Sequence, residues 1–212
     1  MLRGTRIITG DEVLIYNDII SKLKSLCKEF YFNEIIIPSI WEEETFTDKV
    51  GPENSKMMWR FKDKGDRNVC LIPEVTGICQ EMWRNNWSKE GKDKKICYVN
   101  RCYRYEKPQL GRYREFTQFG IEWLGQKEEW EYKVTIDIIK EFLESLKVDY
   151  KFNPSVKRGL SYYNGDGFEI EVESLGAQKQ ICGGGKYAEG CGWALGVDIL
   201  VLAIMKSKGE IK

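Results

Sequence analysis

The sequence predicts an α+β fold, and two kinds of segment support this prediction. Two long segments, one starting at Asp11 and the other covering residues 127–147, carry apolar side chains at helical spacing. Two other segments, residues 57–72 and residues 102–125, each contain two extended runs separated by a turn with Gly, Pro or Asp. The 212 residues fit one domain, residues 1–212, long enough to bury a core of its own.

The first predicted helix begins after Gly10 and presents one apolar face. Apolar residues recur along it three or four positions apart: Ile15, Ile19, Leu23, Leu26 and Phe30. A short apolar run, residues 34–38, follows and predicts a buried strand that ends in Pro38. Because proline cannot donate a ladder hydrogen bond, we expect Pro38 at an edge, at a strand end or at a subunit contact.

Residues 71–77, LIPEVTG, place a carboxylate and a hydroxyl two positions apart. At the end of a strand, side chains at this spacing point to the same side, so Glu74 and Thr76 can face one pocket. Such a pair suits a substrate ammonium group. The same residues also fit an ordinary helix start at Pro73 and Glu74, and both interpretations stay open here.

Residues 102–125 hold four basic side chains around a turn at Pro108 to Gly111: Arg104, Lys107, Arg112 and Arg114. Arginine forks match phosphate oxygens in bidentate geometry, which favours a phosphate-binding hairpin. An exposed hairpin with a solvated charged edge explains the same residues. Alternate positions carry four polar residues that we expect on one face of a sheet: Arg112, Arg114, Gln118 and Glu122.

The remaining elements follow from the same kinds of pattern. Before the hairpin, we expect a helix over residues 75–87 and a charged loop over residues 88–95. After the second long helix, we expect strands over residues 149–152 and 168–173, then a final buried helix from Asp198. Two glycine-rich segments, ICGGGKYAEG and CGWALGVD, mark places where the backbone approaches a neighbour closely or turns sharply.

Composition excludes several classes of function. The 33 basic side chains balance the 33 acidic ones, so any binding of nucleic acid must come from local patches. There is no histidine, which excludes nucleophilic schemes that depend on one and removes the commonest metal ligand. The seven cysteines lack the spacing of a structural zinc site, so we interpret them as buried small side chains and predict no bound metal.

The sequence also predicts a cytoplasmic protein without a membrane span. An odd number of cysteines, together with an amino terminus that lacks an apolar signal-peptide segment, indicates a reducing compartment. The longest apolar run near the end, residues 199–205, is far shorter than the roughly 20 residues that a spanning helix needs.

Three ordered motifs resemble those of class II aminoacyl-tRNA synthetases, and within that class those of histidyl-tRNA synthetases. YRYEKPQLGRYREF is similar to motif 2, RGLSYYNGDGFE to the histidine-specific segment, and GGGKY followed by GWALGVDIL to the approach to motif 3. The resemblance runs from RGTR, at Arg3, to the final helix. It implies a central antiparallel sheet flanked by helices, ATP and Mg²⁺ as cofactors, and a homodimer formed through the region around Pro38.

The resemblance also implies roles for individual residues. Catalysis would depend on Arg104 and Arg158, which would hold the α-phosphate and the substrate carboxylate. The residues implied for ATP are Arg104, Glu106 and Arg112, and those implied for the amino acid are Glu74, Thr76, Gln118, Glu122, Tyr163 and Tyr187. The acceptor stem of a tRNA would meet the motif 2 loop at Gln109 and Arg114, helped by Lys107 and the basic residues 92–95.

The sequence departs from the family at two important places. Motif 3 normally ends in an acidic residue and an arginine that contacts the γ-phosphate, but Asp198 is followed here by Ile199, and Lys186 is a candidate for the missing charge. The second long helix runs almost directly into the next strand, which leaves no room for the inserted domain that clamps tRNA in the family. We expect the carboxy-terminal anticodon domain to be absent as well. The expectation is a minimal catalytic core, to which a second polypeptide could supply anticodon binding.

Two functions follow from these observations. The first is an enzyme that activates histidine with ATP to the aminoacyl-adenylate and transfers it to tRNA. This chemistry needs no protein histidine, because the substrate carboxylate itself attacks the α-phosphorus. The second is a non-catalytic paralogue that binds histidine or tRNA as a regulatory module. The retained arginines Arg104, Arg112 and Arg158 favour the enzyme, whereas Ile199 and the missing domains favour the module.

Overall fold

The computed structural model of the chain describes residues 1–47, 49–125, 128–156, 160, 162–163 and 167–210, with the backbone alone at Glu53. Within these residues the chain forms six α-helices: α1 (Asp11–Glu29), α2 (Glu44–Thr47), α3 (Gly51–Lys56), α4 (Thr76–Asn85), α5 (Glu129–Ser145) and α6 (Val197–Ser207). Within the same residues it forms ten strands: β1 (Asn33–Ile35), β2 (Ile40–Glu42), β3 (Trp59–Lys62), β4 (Asn68–Leu71), β5 (Lys94–Tyr103), β6 (Glu115–Leu124), β7 (Lys151–Val156), β8 (Gly167–Glu171), β9 (Gln180–Tyr187) and β10 (Gly190–Gly196).

The described strands form one large sheet and one small sheet. Seven strands of the large sheet lie in the order β1-β5-β6-β10-β9-β8-β7, and all neighbours are antiparallel except β1, which runs parallel to β5. The small sheet has the order β2-β4-β3 and is antiparallel. The predicted α+β class, with an antiparallel sheet flanked by helices, is therefore confirmed.

Three helices cover one face of the large sheet. The apolar faces of α1, α5 and α6 pack there, and Ile19, Leu23, Ile138 and Leu200 are completely buried. Each such side chain contributes about 1.5–3 kcal/mol through removal of apolar surface from water. The helix α5 starts with a capping box between Glu128 and Glu131, which satisfies two backbone N–H groups of its first turn.

The other face of the large sheet is only partly covered, and it carries a cleft. Residues of even number in β6 and β10 point to this face, whereas Phe119, Ile121 and Trp193 point to the helices. Helix α4 and the small sheet cover one end of this face through a second apolar cluster that includes Phe46, Ile72 and Tyr98. What remains uncovered becomes the floor of the cleft.

The sequence predictions for individual elements hold where periodicity was strong and fail in polar segments. The two long helices, the hairpin of β3 and β4, the strand β8 and the final helix are present close to the expected positions. Polar residues 44–56 form the short helices α2 and α3, and the expected loop at residues 88–95 contains a 3-10 helix and the start of β5. These segments lack an amphipathic period, so tertiary contacts decide their conformation.

The two glycine-rich segments form the paired strands β9 and β10, with neighbours too close for a side chain. A Cβ atom at Gly184 would lie 2.3 Å from the carbonyl oxygen of Gly192, and one at Gly190 would lie 2.2 Å from that of Trp123. Close approach of the backbone was one of the two expectations for these segments, and it explains the glycines. The seven cysteines are all buried, as expected. Among the described residues, no helix combines the length and the apolar character needed to cross a membrane.

Candidate active-site cleft

The cleft on the open face of the large sheet has a volume of about 310 Å³. Its floor comes from β6, β9 and β10, where small residues leave space above the sheet: Gly183, Ala194 and Gly196. Its walls come from the segment before α4, the loop between β5 and β6, and the tyrosines ahead of β8. One end holds buried carboxyl and hydroxyl groups, and the other holds Arg104 and Arg112 with acidic neighbours. We call these ends the carboxylate pocket and the arginine end.

The carboxylate pocket consists of Glu74, Thr76, Glu122, Tyr162 and Tyr187. Glu122, on β6, is completely buried. Its Oε1 atom accepts a hydrogen bond from Thr76 Oγ1 at 2.6 Å, and its Oε2 atom accepts one from Tyr187 OH at 2.5 Å. A third hydroxyl, that of Tyr98, donates to Oε1 at 3.3 Å. Three side-chain hydroxyl groups therefore hold one buried carboxylate in a fixed orientation.

Glu122 fits into the sheet only because its neighbour on β10 is a glycine. Gly192 lies opposite Glu122 in the register, and a Cβ atom there would lie 2.1 Å from Glu122 Oε2. No side chain tolerates such a contact, because a carboxylate that is bonded on both oxygens cannot move away cheaply. Gly192 thus makes room for the side chain of Glu122.

Glu74 lies at the start of α4 and is 3% exposed. The backbone N–H of Gly77 donates to Glu74 Oε1 at 3.0 Å, and Tyr162 OH donates to Oε2 at 3.3 Å. Residues 71–77 thus form a helix start and also place Glu74 and Thr76 at one cleft, while their contact with a substrate ammonium group stays a prediction. Glu74 satisfies a backbone donor at the helix start, and it also lines the cleft together with Thr76.

Burial sets the charge state of both carboxylates. Loss of hydration raises the pKa of Glu122 to about 8, although the hydrogen bonds from Thr76 and Tyr187 act in the opposite direction. Desolvation also raises the pKa of Glu74, opposed by the Gly77 N–H group and by the charge of Arg104. In the described part of the chain, neither carboxylate forms an ion pair with Lys or Arg. A ligand that brings a positive charge or N–H donors into this pocket would compensate both groups.

The tyrosines form a compact group at the mouth of the carboxylate pocket. The rings of Tyr162 and Tyr163 lie 4.7 Å apart, and the ring of Tyr187 contacts both. Tyr163 lies against Gly185, where a Cβ atom would come within 2.6 Å of the ring. Gln118 also lines the cleft, and its Oε1 atom accepts from Cys102 Sγ at 3.3 Å. Of the six residues expected to contact the amino acid, four line the cleft: Glu74, Thr76, Gln118 and Tyr163. The other two, Glu122 and Tyr187, are buried and connect to the cleft through the hydroxyl of Thr76.

The arginine end consists of Arg104, Glu106, Arg112, Asp198 and Ile199, which all line the cleft. Arg104 follows β5 directly, donates from Nε to the carbonyl of Pro73 at 2.9 Å, and lies 5.3 Å from the ring centre of Phe116. Among the described residues, these contacts leave its terminal nitrogen atoms available for an anion. Arg112 is exposed and pairs with Glu106 at 3.4 Å. The second predicted catalytic arginine, Arg158, lies outside the described residues.

Motif 3 ends in an arrangement that the sequence did not predict. Asp198 is buried and accepts hydrogen bonds from Arg6 at 2.8 Å and from the backbone of Thr117 at 2.6 Å. The side chain of Ile199 packs beneath the turn at Gly111, where a Cβ atom would lie 3.3 Å from its Cδ1 atom. An apolar side chain therefore occupies the wall at the position that follows Asp198.

Two expectations about basic side chains are wrong. Lys186 does not line the cleft but pairs with Glu129 on the helix side of the sheet, at 2.6 Å, so it cannot replace a charge after Asp198. Arg112 and Arg114 do not share a strand face with Gln118 and Glu122, because β6 begins only at Glu115. The turn at Gly111, with φ of +79°, interrupts the period of two before the strand starts.

The two residues expected to contact tRNA differ in their surroundings. Gln109 is exposed at the tip of the loop between β5 and β6, where it forms an isolated bridge with Arg112. Arg114 packs on the ring of Tyr105 at 3.8 Å and donates to the carbonyl oxygens of Glu106 and Arg3. Its backbone also donates to Gly4 at 2.7 Å. Arg114 thus connects the amino-terminal segment to the loop.

Sequence reasoning missed three polar side chains: Arg6, Tyr98 and Tyr162. Tyr162 stands beside Tyr163 in the same motif, so the repeated tyrosine was a usable signal. Tyr98 lies opposite Gly120 in the register of β5 and β6, and only knowledge of strand pairing reveals that relation. Arg6 reaches Asp198 across almost the whole length of the chain, which no local pattern could show.

The fold, with a large antiparallel sheet flanked by helices, is that of the class II aminoacyl-tRNA synthetases. A family model described as histidyl-tRNA synthetase matches residues 8–148. The histidine–tRNA ligase of Archaeoglobus fulgidus is 28% identical over 313 aligned positions, which cover 98% of this chain and 76% of that protein. This chain therefore belongs to the histidyl-tRNA synthetase family.

Solved structures agree with this assignment at the level of the fold. Apo histidyl-tRNA synthetase from S. aureus has a TM-score of 0.79 at 22% identity, over 99% of this chain and 70% of that one. A protein from Bacillus halodurans, described as an ATP phosphoribosyltransferase regulatory subunit/histidyl-tRNA synthetase, has a TM-score of 0.82 at 13% identity, over 96% of this chain and 82% of that one.

The comparisons also agree with the predicted connection after the second long helix. The Archaeoglobus fulgidus match spans 313 positions, whereas this chain has 212 residues, so the relative carries an additional segment within the matched span. The helix α5 ends at Ser145 and β7 begins at Lys151, which leaves only residues 146–150 between them. An inserted domain is therefore absent at this junction.

Proposed function

We propose that this protein binds histidine in the carboxylate pocket and activates it with ATP to histidyl-adenylate, for transfer to a tRNA. The observation that carries the proposal is that one cleft has buried carboxyl groups at one end and the guanidinium groups of Arg104 and Arg112 at the other. The buried carboxylates Glu74 and Glu122 suit the ammonium group and the imidazole N–H group of histidine. The guanidinium of Arg104 suits the α-phosphate.

The chemistry asks the protein only to align two reactants and to neutralise charge. Holding two reactants in reactive geometry can lower the barrier by roughly 7–11 kcal/mol. Fixed donors aimed at the phosphoryl oxygens stabilise the charge that develops there. Arg104 fits this task, because its Nε bond to Pro73 and its contact with Phe116 fix the guanidinium plane.

ATP and Mg²⁺ are part of the proposal. Glu106 and Arg112 form an ion pair at the side of the cleft, where they could contact the nucleotide. No three Cys, Asp or Glu side chains within the described ranges gather into a metal-binding group. The ion would therefore be held mainly by the phosphates, as is usual for magnesium, and it would supply charge neutralisation there.

The macromolecular partners are also proposals. Gln109 and Lys107 are exposed on the loop between β5 and β6, where they could meet the acceptor stem of a tRNA. We propose a homodimer that forms around Pro38, because Ile36 and Ile40 on either side are 93% and 51% exposed. A separate polypeptide would supply contacts to the anticodon.

A second function is favoured by one specific observation, namely the apolar side chain after Asp198. Ile199 gives the arginine end no cation at this position, and a chain that binds histidine without activating it would not need one. Such a chain would act as a histidine-sensing module. The Bacillus halodurans neighbour, whose description names both a regulatory subunit and a histidyl-tRNA synthetase, has the same fold.

Two measurements on the purified protein distinguish these functions. Histidine-dependent exchange of pyrophosphate into ATP, compared across the twenty amino acids, tests activation, and calorimetry with histidine tests binding. Exchange that is specific for histidine supports the enzyme. Histidine binding without exchange for any amino acid would leave only the sensing module, and the absence of both signals would reject both functions.

A further inference from the structure

A tyrosine hydroxyl lies beneath the carboxylate pocket, outside the cleft itself. Tyr98, on β5, is completely buried, and its OH group donates to Glu122 Oε1 at 3.3 Å. The strand opposite carries Gly120 at the paired position, where a Cβ atom would lie 2.2 Å from the hydroxyl oxygen. The glycine therefore creates the space that this hydroxyl occupies.

Packing alone does not explain a phenol at this position. A phenylalanine ring would fill the same volume without burying a polar group, which costs free energy unless the group is hydrogen-bonded. The partner of this hydroxyl is the one carboxylate in the pocket that accepts from side-chain hydroxyls on both oxygens. Two residues, Tyr98 and Gly120, are thus matched to one functional group.

Each hydrogen-bond donor to Glu122 affects whether this buried carboxyl group is ionised. The titratable groups around it come from every neighbouring element: Glu74 and Tyr162 from the loops, Cys79 from α4, Tyr98 from β5, Tyr187 from β9 and Cys191 from β10. Desolvation raises the pKa of the thiols and the phenols, so these groups are neutral near pH 7. Glu74 adds only negative charge, and hydroxyl donors are what favour ionised Glu122.

We propose that Tyr98 is a positioning residue that fixes the orientation and favours the ionised form of Glu122, and thereby strengthens the binding of histidine. The assignment rests on the proposed histidine site. The physical reason is that a hydrogen bond donated by Tyr98 stabilises the carboxylate form of Glu122 more than its carboxylic acid form. Loss of the hydroxyl should therefore weaken histidine binding most at the pH values where Glu122 must lose a proton.

The test is calorimetric titration of Tyr98→Phe and of the wild type with histidine from pH 6 to pH 9.5. The ratio of the two dissociation constants cancels the titration of the ligand itself. We expect a ratio of about five below pH 7, as for one hydrogen bond of typical net strength, falling towards one above pH 9. A purely structural role would weaken binding by the same factor at every pH.

Tyr150→Phe is the matched control, because Tyr150 donates to Glu144 on the far side of the molecule and its ratio should stay at one. A pH-independent ratio for Tyr98→Phe, or a ratio of one throughout, would overturn the inference. If the wild type does not bind histidine at all, the proposed function itself fails instead. Thermal unfolding of each variant shows whether the fold is retained.

A second measurement needs no substitution and covers the case in which Tyr98→Phe does not fold. In wild-type protein labelled with ¹³C at the ζ carbon of tyrosine, the Tyr98 resonance should shift as Glu122 titrates and again when histidine is added. A resonance that responds to neither change would reject the proposed hydrogen bond.

Discussion

The two ends of the cleft differ in how firmly the structure holds them. In the carboxylate pocket, Glu122 lies on a central strand of the sheet, and Glu74 is fixed at the first turn of α4. Both side chains are nearly inaccessible to water, and side-chain or backbone donors occupy them. At the arginine end, Arg112 is exposed on a loop, Asp198 is already paired with Arg6, and Ile199 is apolar.

This difference indicates how far each end is preorganised for a ligand. A pocket built from strands and one helix is preorganised, so its ligand loses little free energy in ordering it. The arginine end combines the buried start of α6 with an exposed loop that carries Arg112, and a bound nucleotide would have to order this loop. The two candidate functions share the carboxylate pocket and differ only at the arginine end, so experiments that compare the two ends separate them.

The largest effect is expected at the carboxylate pocket, from Glu122→Gln. Burial raises the pKa of Glu122 to about 8 from its usual 4.5. Ionisation of Glu122 therefore destabilises the folded state, and this destabilisation grows as the pH rises from 4.5 to 8. Gln carries no such cost. Relative to Glu122→Gln, the wild type should lose roughly 1.4 kcal/mol of unfolding free energy per pH unit, about 4–5 kcal/mol in total.

Denaturant unfolding at pH 5 and at pH 8 measures this difference. The control is Glu141→Gln on the exposed face of α5, which should show no comparable change between the two pH values. If wild type and Glu122→Gln lose stability in parallel, then Glu122 is not the buried carboxyl that the geometry describes. The same variant should also bind histidine more weakly, since Gln has a single acceptor oxygen where Glu has two.

The next effect is expected at the arginine end, from Arg104→Ala. If Arg104 stabilises charge on the α-phosphoryl group, its removal should slow histidine-dependent pyrophosphate exchange by about 10²–10³-fold, with little change in histidine affinity. Arg101→Ala provides the control, because Arg101 lies three residues before Arg104, near the end of β5, but is exposed and does not line the cleft. A variant that keeps normal exchange would show that the arginine end does not work through Arg104.

The smallest effect is expected from Ile199→Arg, which supplies the cation that motif 3 lacks. The side chain lines the cleft, so a guanidinium could extend from this position into the cleft. We expect about a tenfold increase in the efficiency of exchange, because a charge would then face the pyrophosphate. Ile199→Leu keeps the volume without the charge and should leave exchange unchanged. Equal rates for Ile199→Arg and Ile199→Leu would mean that the arginine end is already complete.

The sequence predicted correctly those features that depend on residues close together in the chain. The apolar faces of α1 and α5 follow directly from spacing, although Trp130 at the start of α5 is 58% exposed and forms an edge-to-face contact with Trp123. Glu74 and Thr76 line one cleft because side chains two positions apart share a side. The motif resemblance identified the family, which the family match confirms.

Sequence reasoning failed where the outcome depends on strand pairing or on long-range contacts. The period of two grouped Arg112 with Gln118, but the turn at Gly111 ends that regularity before β6 begins. Lys186 looked close to the missing charge, yet in β9 its side chain points to α5. A shift of one residue in strand register moves a side chain to the opposite face of the sheet, and the sequence alone does not specify the register.

The sequence by itself determined the class of fold, the family and the residue types that line the cleft, because these depend on composition, periodicity and motifs. Tertiary structure alone decided that Tyr98, Thr76 and Tyr187 all donate to Glu122 and that Arg6 is the partner of Asp198. The physical reason is that burial and hydrogen-bond partners come from strand register and from segments far apart along the chain. Those same contacts set the charge of the carboxylate pocket.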